Sequence, residues 1–165
     1  MVSKEYYLKF MSEVRKVSGV DTLTPDETGL VSIRVDDAYN VNLQFVEATG
    51  KILCFVEVTA LPPDANGAFG AMMLQANFHL RATEGATLCQ NPETQAYALV
   101  RPFPLAITDV ESLAAGLESL ANQTENWRKA LAGLNTAEAA KEQSAASTSD
   151  GDSHHDMMAS GFFHV

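Results

Sequence analysis

The stretch between Ala65 and Arg81 is predicted to form a helix that is apolar around most of its circumference. A helix on the outside of one small sheet buries a single face, so the opposite face of this helix needs another cover. A second copy of the helix across a two-fold axis and a sandwiched position within one chain satisfy that need about equally well. Met72 and Met73 slightly favour a contact surface, because thioethers fit irregular interfaces.

The patterns along the rest of the chain predict an α+β fold, an antiparallel sheet with helices in the order α-β-β-β-α-β-β-α. The predicted elements are a helix at 3–17, strands at 31–35, 39–45 and 52–58, a helix at 65–81, strands at 86–90 and 95–100, and a helix that begins at Thr108. Short turns make the first three strands an antiparallel meander and the next two a hairpin. Pro102 and Pro104 are expected to end the last strand.

Capping signals mark the ends of two of these helices. Ser3 is a suitable N-cap for the first helix, and Gly19 follows its end. Glu111 stands three residues after Thr108, as a capping box requires at the start of the third helix. Thr108 is therefore predicted to be the cap of that helix.

The composition changes after Asn135, which predicts a folded domain at 1–135 and a disordered acidic tail at 136–165. The tail is rich in Ala, Ser, Asp and Glu and has no apolar period. Its last residues are apolar again, and Phe162-Phe163 is either a second peptide ligand or, as we favour, an unattached end.

The net charge of −10 argues against a nucleic-acid partner, because phosphates are neutralised by clustered Lys and Arg. No stretch has the length of a membrane span, and the first residues lack the apolar core of a secretory signal. Cys54 and Cys89 lie in apolar strands and are predicted to be buried free thiols in a reducing cytoplasm, with a disulfide between them as the less favoured alternative.

The candidate chemical groups are few, and we predict neither an active site nor a metal or cofactor. His79 and Cys89 could form a thiol dyad, but a polar residue late in a helix and a buried strand thiol explain them better. His154, His155 and Asp156 could bind a metal, but adjacent histidines in an acidic tail usually bind metals adventitiously.

A family resemblance rests on the order of the elements and on several short stretches. These are 72–78, which ends in Asn77-Phe78, then Leu88, 98–100, Pro104-Leu105 and 127–129. Between about Tyr6 and Leu134 the chain resembles the class I chaperones of bacterial type III secretion, the Tir chaperone family. The resemblance implies a cytoplasmic bacterial homodimer without catalytic activity that serves virulence. It would bind the N-terminal segment of a secreted effector, keep it soluble, partly unfolded and secretion-competent, and release it with the help of the secretion ATPase.

The same resemblance implies two sets of site residues. Those of the dimer interface are Phe69, Met72, Met73, Ala76 and Phe78. Those of the effector-binding surface are Tyr7, Phe10, Met11, Val31 and Ile33, some of which must fill the core instead. The alternative function is a non-catalytic dimeric adapter that joins folded protein partners.

Overall fold

The computed structural model describes the backbone at residues 2–59 and 68–149 and the side chains at 2–58 and 70–133. In these ranges the order of elements is the predicted α-β-β-β-α-β-β-α, with one added 3-10 turn. The elements are α1 (Lys4–Ser18), β1 (Leu30–Val35), β2 (Tyr39–Val46), β3 (Lys51–Thr59), α2 (Ala68–Asn77), the 3-10 turn (Phe78–Leu80), β4 (Thr87–Gln90), β5 (Tyr97–Pro104) and α3 (Val110–Ser149).

Helix α1 is capped at both ends by the predicted residues. The Ser3 hydroxyl accepts a hydrogen bond from the backbone N–H of Tyr6 at 3.3 Å. Gly19 takes the left-handed conformation at φ 68°, and its N–H donates to the carbonyl of Arg15. The cap predictions for α1 are therefore confirmed.

The five strands form one antiparallel sheet in the order β1-β2-β3-β5-β4. The predicted meander and the predicted hairpin are both present, and β5 joins them by pairing with β3. Asp36 and Asp37 form the first turn with φ values of 46° and 53°, and Gly50 turns the chain at φ 63° before β3. The alternating apolar residues of β2 are buried on one face: Tyr39, Val41, Leu43 and Phe45.

Strand β5 differs from the prediction at its C-terminal end. Pro102 and Pro104 were expected to lie beyond the strand, but β5 continues through Pro104, so that prediction is wrong. Pro102 is paired with Leu53 of β3. On its other side β5 is paired with β4 only at residues 97–100. Proline is tolerated next to such an open edge, because its missing N–H leaves no ladder bond unmade there.

Helix α3 begins at Val110, and its cap is Asp109 rather than the predicted Thr108. The Asp109 carboxylate accepts a hydrogen bond from the Ser112 N–H at 2.7 Å. The Thr108 hydroxyl instead donates to the Pro104 carbonyl at 2.8 Å. Both residues are favoured N-caps, so the sequence pattern alone placed the cap one residue too early.

We expect Asp109→Ala to lower the melting temperature and Thr108→Ala to lower it less, because only Asp109 caps α3. Hydrogen bonds from Ser112 hold the pKa of Asp109 below its usual 3.8. A pKa lowered by folding stabilises the protein above the unfolded pKa and ceases to do so as pH falls through the folded value. Thermal melts should therefore show a stability advantage of wild type over Asp109→Asn that disappears in acid; an equal advantage at every pH would contradict the assignment.

The chain forms two compact units that divide within α3, after Arg128. In the second unit the structure describes the backbone of the last part of α3, which is helical as far as Ser149. The helix thus passes the residue after which the sequence predicts the acidic tail. The division into a domain at 1–135 and a disordered tail at 136–165 stays a prediction, and residues 150–165 lie outside the described residues.

Candidate functional site

Helix α2 lies beside the edge strand β4, with one face turned towards its own chain and one face in solvent. Met73 is buried, with 8% of its side chain exposed, on the side towards the fold. Leu74 and Phe78 are 75% and 73% exposed, and Leu80 is 40% exposed. We call Leu74, Phe78 and Leu80 the α2 patch. Large apolar side chains this exposed and this close in sequence indicate a contact surface.

Asn77, the last residue of α2, binds the edge strand β4. Its side-chain oxygen accepts from the Leu88 N–H at 2.8 Å, and its side-chain nitrogen donates to the Leu88 carbonyl at 3.0 Å. Both backbone groups of Leu88 are thereby paired at the outer edge of the sheet. Unpaired groups on a sheet edge invite pairing with another chain, so Asn77 closes this position.

The α2 helix is shorter than the predicted 65–81, because the backbone turns sharply after Asn77. His79 and Leu80 adopt positive φ values of 62° and 52°. Bulky residues rarely occupy this region, and they persist there only when their surroundings hold them. The carbonyl of Leu80 accepts from the Gly85 N–H at 3.0 Å, and the ring of Phe78 lies 4.1 Å from that of His79. Residues 65–67 lie outside the described residues.

The structure separates the residues predicted for a dimer interface. Phe78 is exposed, Met72 and Ala76 are partly exposed, and Met73 is buried against its own chain. The side chain of Phe69 lies outside the described residues. Leu74 is as exposed as Phe78, but it was not among the residues predicted for the dimer interface. Its position four residues before Phe78 is the signal that could have found it, because residues so spaced share a helix face.

The residues predicted to bind an effector lie mostly inside the protein. The buried ones are Tyr7, Phe10, Met11 and Val31. The Tyr7 ring stacks on Phe45 at 4.8 Å, and its hydroxyl donates to the Gly29 carbonyl at 3.0 Å. Ile33 keeps part of its side chain accessible. The structure of a single chain does not test the predicted dimer interface or the predicted effector-binding set. Of the effector-binding set, only Ile33 is accessible without a change in conformation.

Among the described residues, strand β1 forms the second edge of the sheet, and its outer side is paired only at its beginning. Asp26 donates its N–H to the Leu30 carbonyl at 2.9 Å, and its carboxylate accepts from the Leu30 N–H at 2.9 Å. Along an antiparallel ladder, residues whose backbone groups face the neighbouring strand alternate with residues whose groups face away from it. Gly29 faces β2, because its carbonyl accepts from the Phe45 N–H, and every second residue after it does the same. The backbone groups of Ser32 and Arg34 therefore face outward along an open edge.

A polar depression of about 430 Å³ lies near the start of β2. Side chains that line it include Arg34, Asn40, Asn42, Glu57 and Arg128. Arg34 donates to the Asp37 carbonyl and to the Asn40 side chain, and Glu57 accepts from Asn91 and Thr94. Charges of both signs line the depression, and several are already paired, so it offers hydrogen bonds rather than a strong field.

Both cysteines are free thiols in the structure, with Cys54 buried and Cys89 partly buried, and this burial makes them poor nucleophiles. Burial raises the pKa of Cys54 to about 12 and also raises the pKa of Cys89, whose thiol donates to the Ala98 carbonyl. A catalytic thiol needs a lowered pKa. Among the side chains described, at 2–58 and 70–133, no group of three His, Cys, Asp or Glu residues could hold a metal ion. The predicted alternative at His154–Asp156 lies outside the described residues.

In the described part of the chain, no helix has the length and hydropathy of a membrane span.

The fold and the α2 patch define a small α+β protein with an apolar helix face open to contact. Residues 10–128 match the model of the Tir chaperone protein (CesT) family. The match covers most of the sequence, and the chain belongs to this family. The resemblance seen in the sequence is thereby confirmed.

Individual relatives agree with that assignment. The Tir chaperone of Citrobacter freundii is 27% identical over 108 residues, which cover 66% of this chain and 68% of that protein. A chain of the ExsC–ExsE complex has a TM-score of 0.65 at 19% identity, covering 78% of this chain and 96% of its own length. A chain of the HopA1–SchA chaperone–effector complex has a TM-score of 0.64 at 16% identity, covering 78% and 99%. At these identities the two structures establish a shared fold.

Proposed function

We propose that this protein is a type III secretion chaperone that binds the N-terminal segment of an effector in the bacterial cytoplasm. It keeps that segment soluble, partly unfolded and ready for secretion. The match of residues 10–128 to the Tir chaperone family carries the proposal. The fold shared with a chain of the HopA1–SchA chaperone–effector complex supports it. The proposal gives the protein no catalytic role, in keeping with the raised pKa of Cys89.

The surfaces of the chain suit a client in an extended conformation. An extended segment can pair with the open edge at Ser32 and Arg34 and reach the partly accessible Ile33. The neighbouring polar depression offers hydrogen-bond partners for the client backbone. Ordering an unfolded segment costs conformational entropy, and a wrapped path offsets this cost because it contacts much area per residue.

The proposal includes a homodimer in which the α2 patches of two copies cover each other. Leu74 and Phe78 are each about three-quarters exposed in the single chain, at 75% and 73%. A two-fold axis places the α2 patches of both copies in the same interface. Each patch is then covered by the other, and no further partner is needed to cover it. The secretion ATPase is proposed as a further partner that assists release of the client.

Co-expression with an effector-like product of a neighbouring gene tests client binding. We expect the first hundred or so residues of that product, roughly the size of one small domain, to become soluble and to co-purify with this chain. An interior segment of equal length from the same product is the control. Insolubility of the N-terminal segment, or equal capture of both segments, would contradict the proposal.

Two charge variants locate the client within the same assay. Ile33→Asp places a charge on a partly accessible predicted contact, and Thr87→Asp places the same charge on an exposed residue of β4, at the opposite edge of the sheet. We expect Ile33→Asp to reduce capture and Thr87→Asp to retain it, with thermal melts showing that both variants are folded. Equal capture by the two variants would remove Ile33 from the client site.

A further inference from the structure

The side chain of Asn77 takes the place of one residue of an additional strand beside β4. Its carboxamide both accepts from and donates to Leu88, at 2.8 Å and 3.0 Å. A neighbouring strand makes the same pair of contacts with a residue on an antiparallel edge. The end of α2 is thus joined to the sheet by two directional bonds.

These bonds act on the same side of α2 as its buried apolar contact. Asn77 follows Met73 by four residues, so the two side chains share a helix face. Apolar contact at Met73 alone would leave α2 able to rotate or slide, because hydrophobic contact is not directional. Hydrogen bonds have strict distance and angle requirements, so the Asn77 contacts select one rotation of the helix.

The turn after Asn77 has a conformation that depends on its surroundings. His79 and Leu80 both have positive φ values. The Leu80 carbonyl accepts from Gly85, and the Thr83 hydroxyl donates to the Ala86 carbonyl at 2.6 Å. The helix end is therefore fixed by Asn77 on one side of Phe78 and by this turn on the other. The backbone position of Phe78 therefore follows from these two sets of contacts.

We propose that Asn77 is a positioning residue for self-association. By pairing with Leu88 it fixes the rotation of α2 on the sheet and presents Leu74 and Phe78 together to a second copy of the chain. The inference rests on the homodimer of the proposed function. The same contact closes β4 at Leu88, so an added strand finds no backbone partner at that residue.

Sedimentation equilibrium of Asn77→Ala tests the inference against a matched control. Asp109→Ala is the control, because it also removes hydrogen bonding between a side chain and the backbone at one end of a helix, in this case at the start of α3. We expect Asn77→Ala to raise the dimer dissociation constant about tenfold, because a change of this size corresponds to the loss of one to two hydrogen bonds. Asp109→Ala should lower the melting temperature and leave the dissociation constant unchanged. Asn77→Asp, which can accept from Leu88 but not donate when ionised, should lie between wild type and Asn77→Ala.

Amide hydrogen exchange at Leu88 is a second measurement of the Asn77 contact, and it does not depend on association of two chains. The Leu88 amide should exchange faster in Asn77→Ala, by about tenfold or more, than in wild type or in Asp109→Ala. Wild-type dimer affinity in Asn77→Ala, or equal weakening by Asp109→Ala, would overturn the positioning role. A wild-type protein that is monomeric at tens of micromolar, a range in which a weak specific dimer still forms, would instead reject the homodimer itself.

Discussion

Leu74→Glu is expected to convert the proposed homodimer into monomers without unfolding the chain. Leu74 is 75% exposed in the single chain, so a carboxylate there is solvated in the monomer. In the dimer the same carboxylate would be buried in an apolar interface without a partner, which costs several kcal/mol. We expect the dissociation constant to rise by about a hundredfold or more, as sedimentation equilibrium would show.

Val17→Glu is the matched control for this substitution. Val17 is an apolar residue of α1 that is 73% exposed, so the same charge enters a helix at nearly the same exposure. The control should remain dimeric. A dimeric Leu74→Glu variant would remove the α2 patch from the interface. A monomeric Val17→Glu variant would show that added charge alone disrupts the assembly.

Substitution of Met73 would not test the interface, although the family resemblance implied a place for Met73 there. The Met73 side chain is 8% exposed in the single chain. A charge there would be buried against the fold of its own chain and would destabilise the monomer before it affected association. Leu74 and Phe78 are therefore the informative positions.

Gly116→Ala is expected to destabilise the protein although alanine is the better helix former. A Cβ atom at Gly116 would lie 2.3 Å from Cζ of Phe103. Overpacking of this kind costs about 1–3 kcal/mol, and such a short contact falls at the upper end. The gain in helix propensity is about 1 kcal/mol, so we expect a net loss of roughly 2 kcal/mol. Thermal melts should show this as a fall of about 4–8 °C.

Gly133→Ala provides the control within the same helix. Apart from the backbone of its own helix, a Cβ atom at Gly133 would meet no described atom within 4 Å, so this variant should keep or slightly raise the melting temperature. Phe103→Leu in the Gly116→Ala background should recover part of the loss, because it shortens the side chain that obstructs the new methyl group. Equal melting temperatures for Gly116→Ala and Gly133→Ala would contradict the packing of α3 on β5.

The local parts of the fold could be predicted because each has a local signal. Alternation along β2 and the Asp36-Asp37 turn specify the meander within neighbouring residues. The pairing of β5 with β3 joins strands that are far apart in the sequence, and alternation does not encode such a partner. The cap of α3 was misplaced because Thr108 and Asp109 are adjacent N-cap candidates and the capping-box spacing to Glu111 favoured Thr108.

The candidate site was less predictable because it depends on orientation. Periodicity identified α2 as apolar on most sides but could not say that Met73 turns inward and Leu74 outward. The Asn77 contact with Leu88 was not predicted for the same reason that the pairing of β5 with β3 was not, because in both cases the partner is set by tertiary structure. Tyr7 was predicted as a client contact, and its buried ring and hydroxyl are explained by bonds within the chain.

The conformation of a bound client tests the central claim most directly. A chaperone holds its client partly unfolded, whereas the alternative adapter would join partners that are already folded. Hydrogen exchange on a purified complex with the effector N-terminal segment distinguishes the two. We expect the segment to be protected only in short stretches that contact this chain, and to lose that protection when released. A segment with a cooperatively protected core of its own, equally protected with and without this chain, would contradict the account.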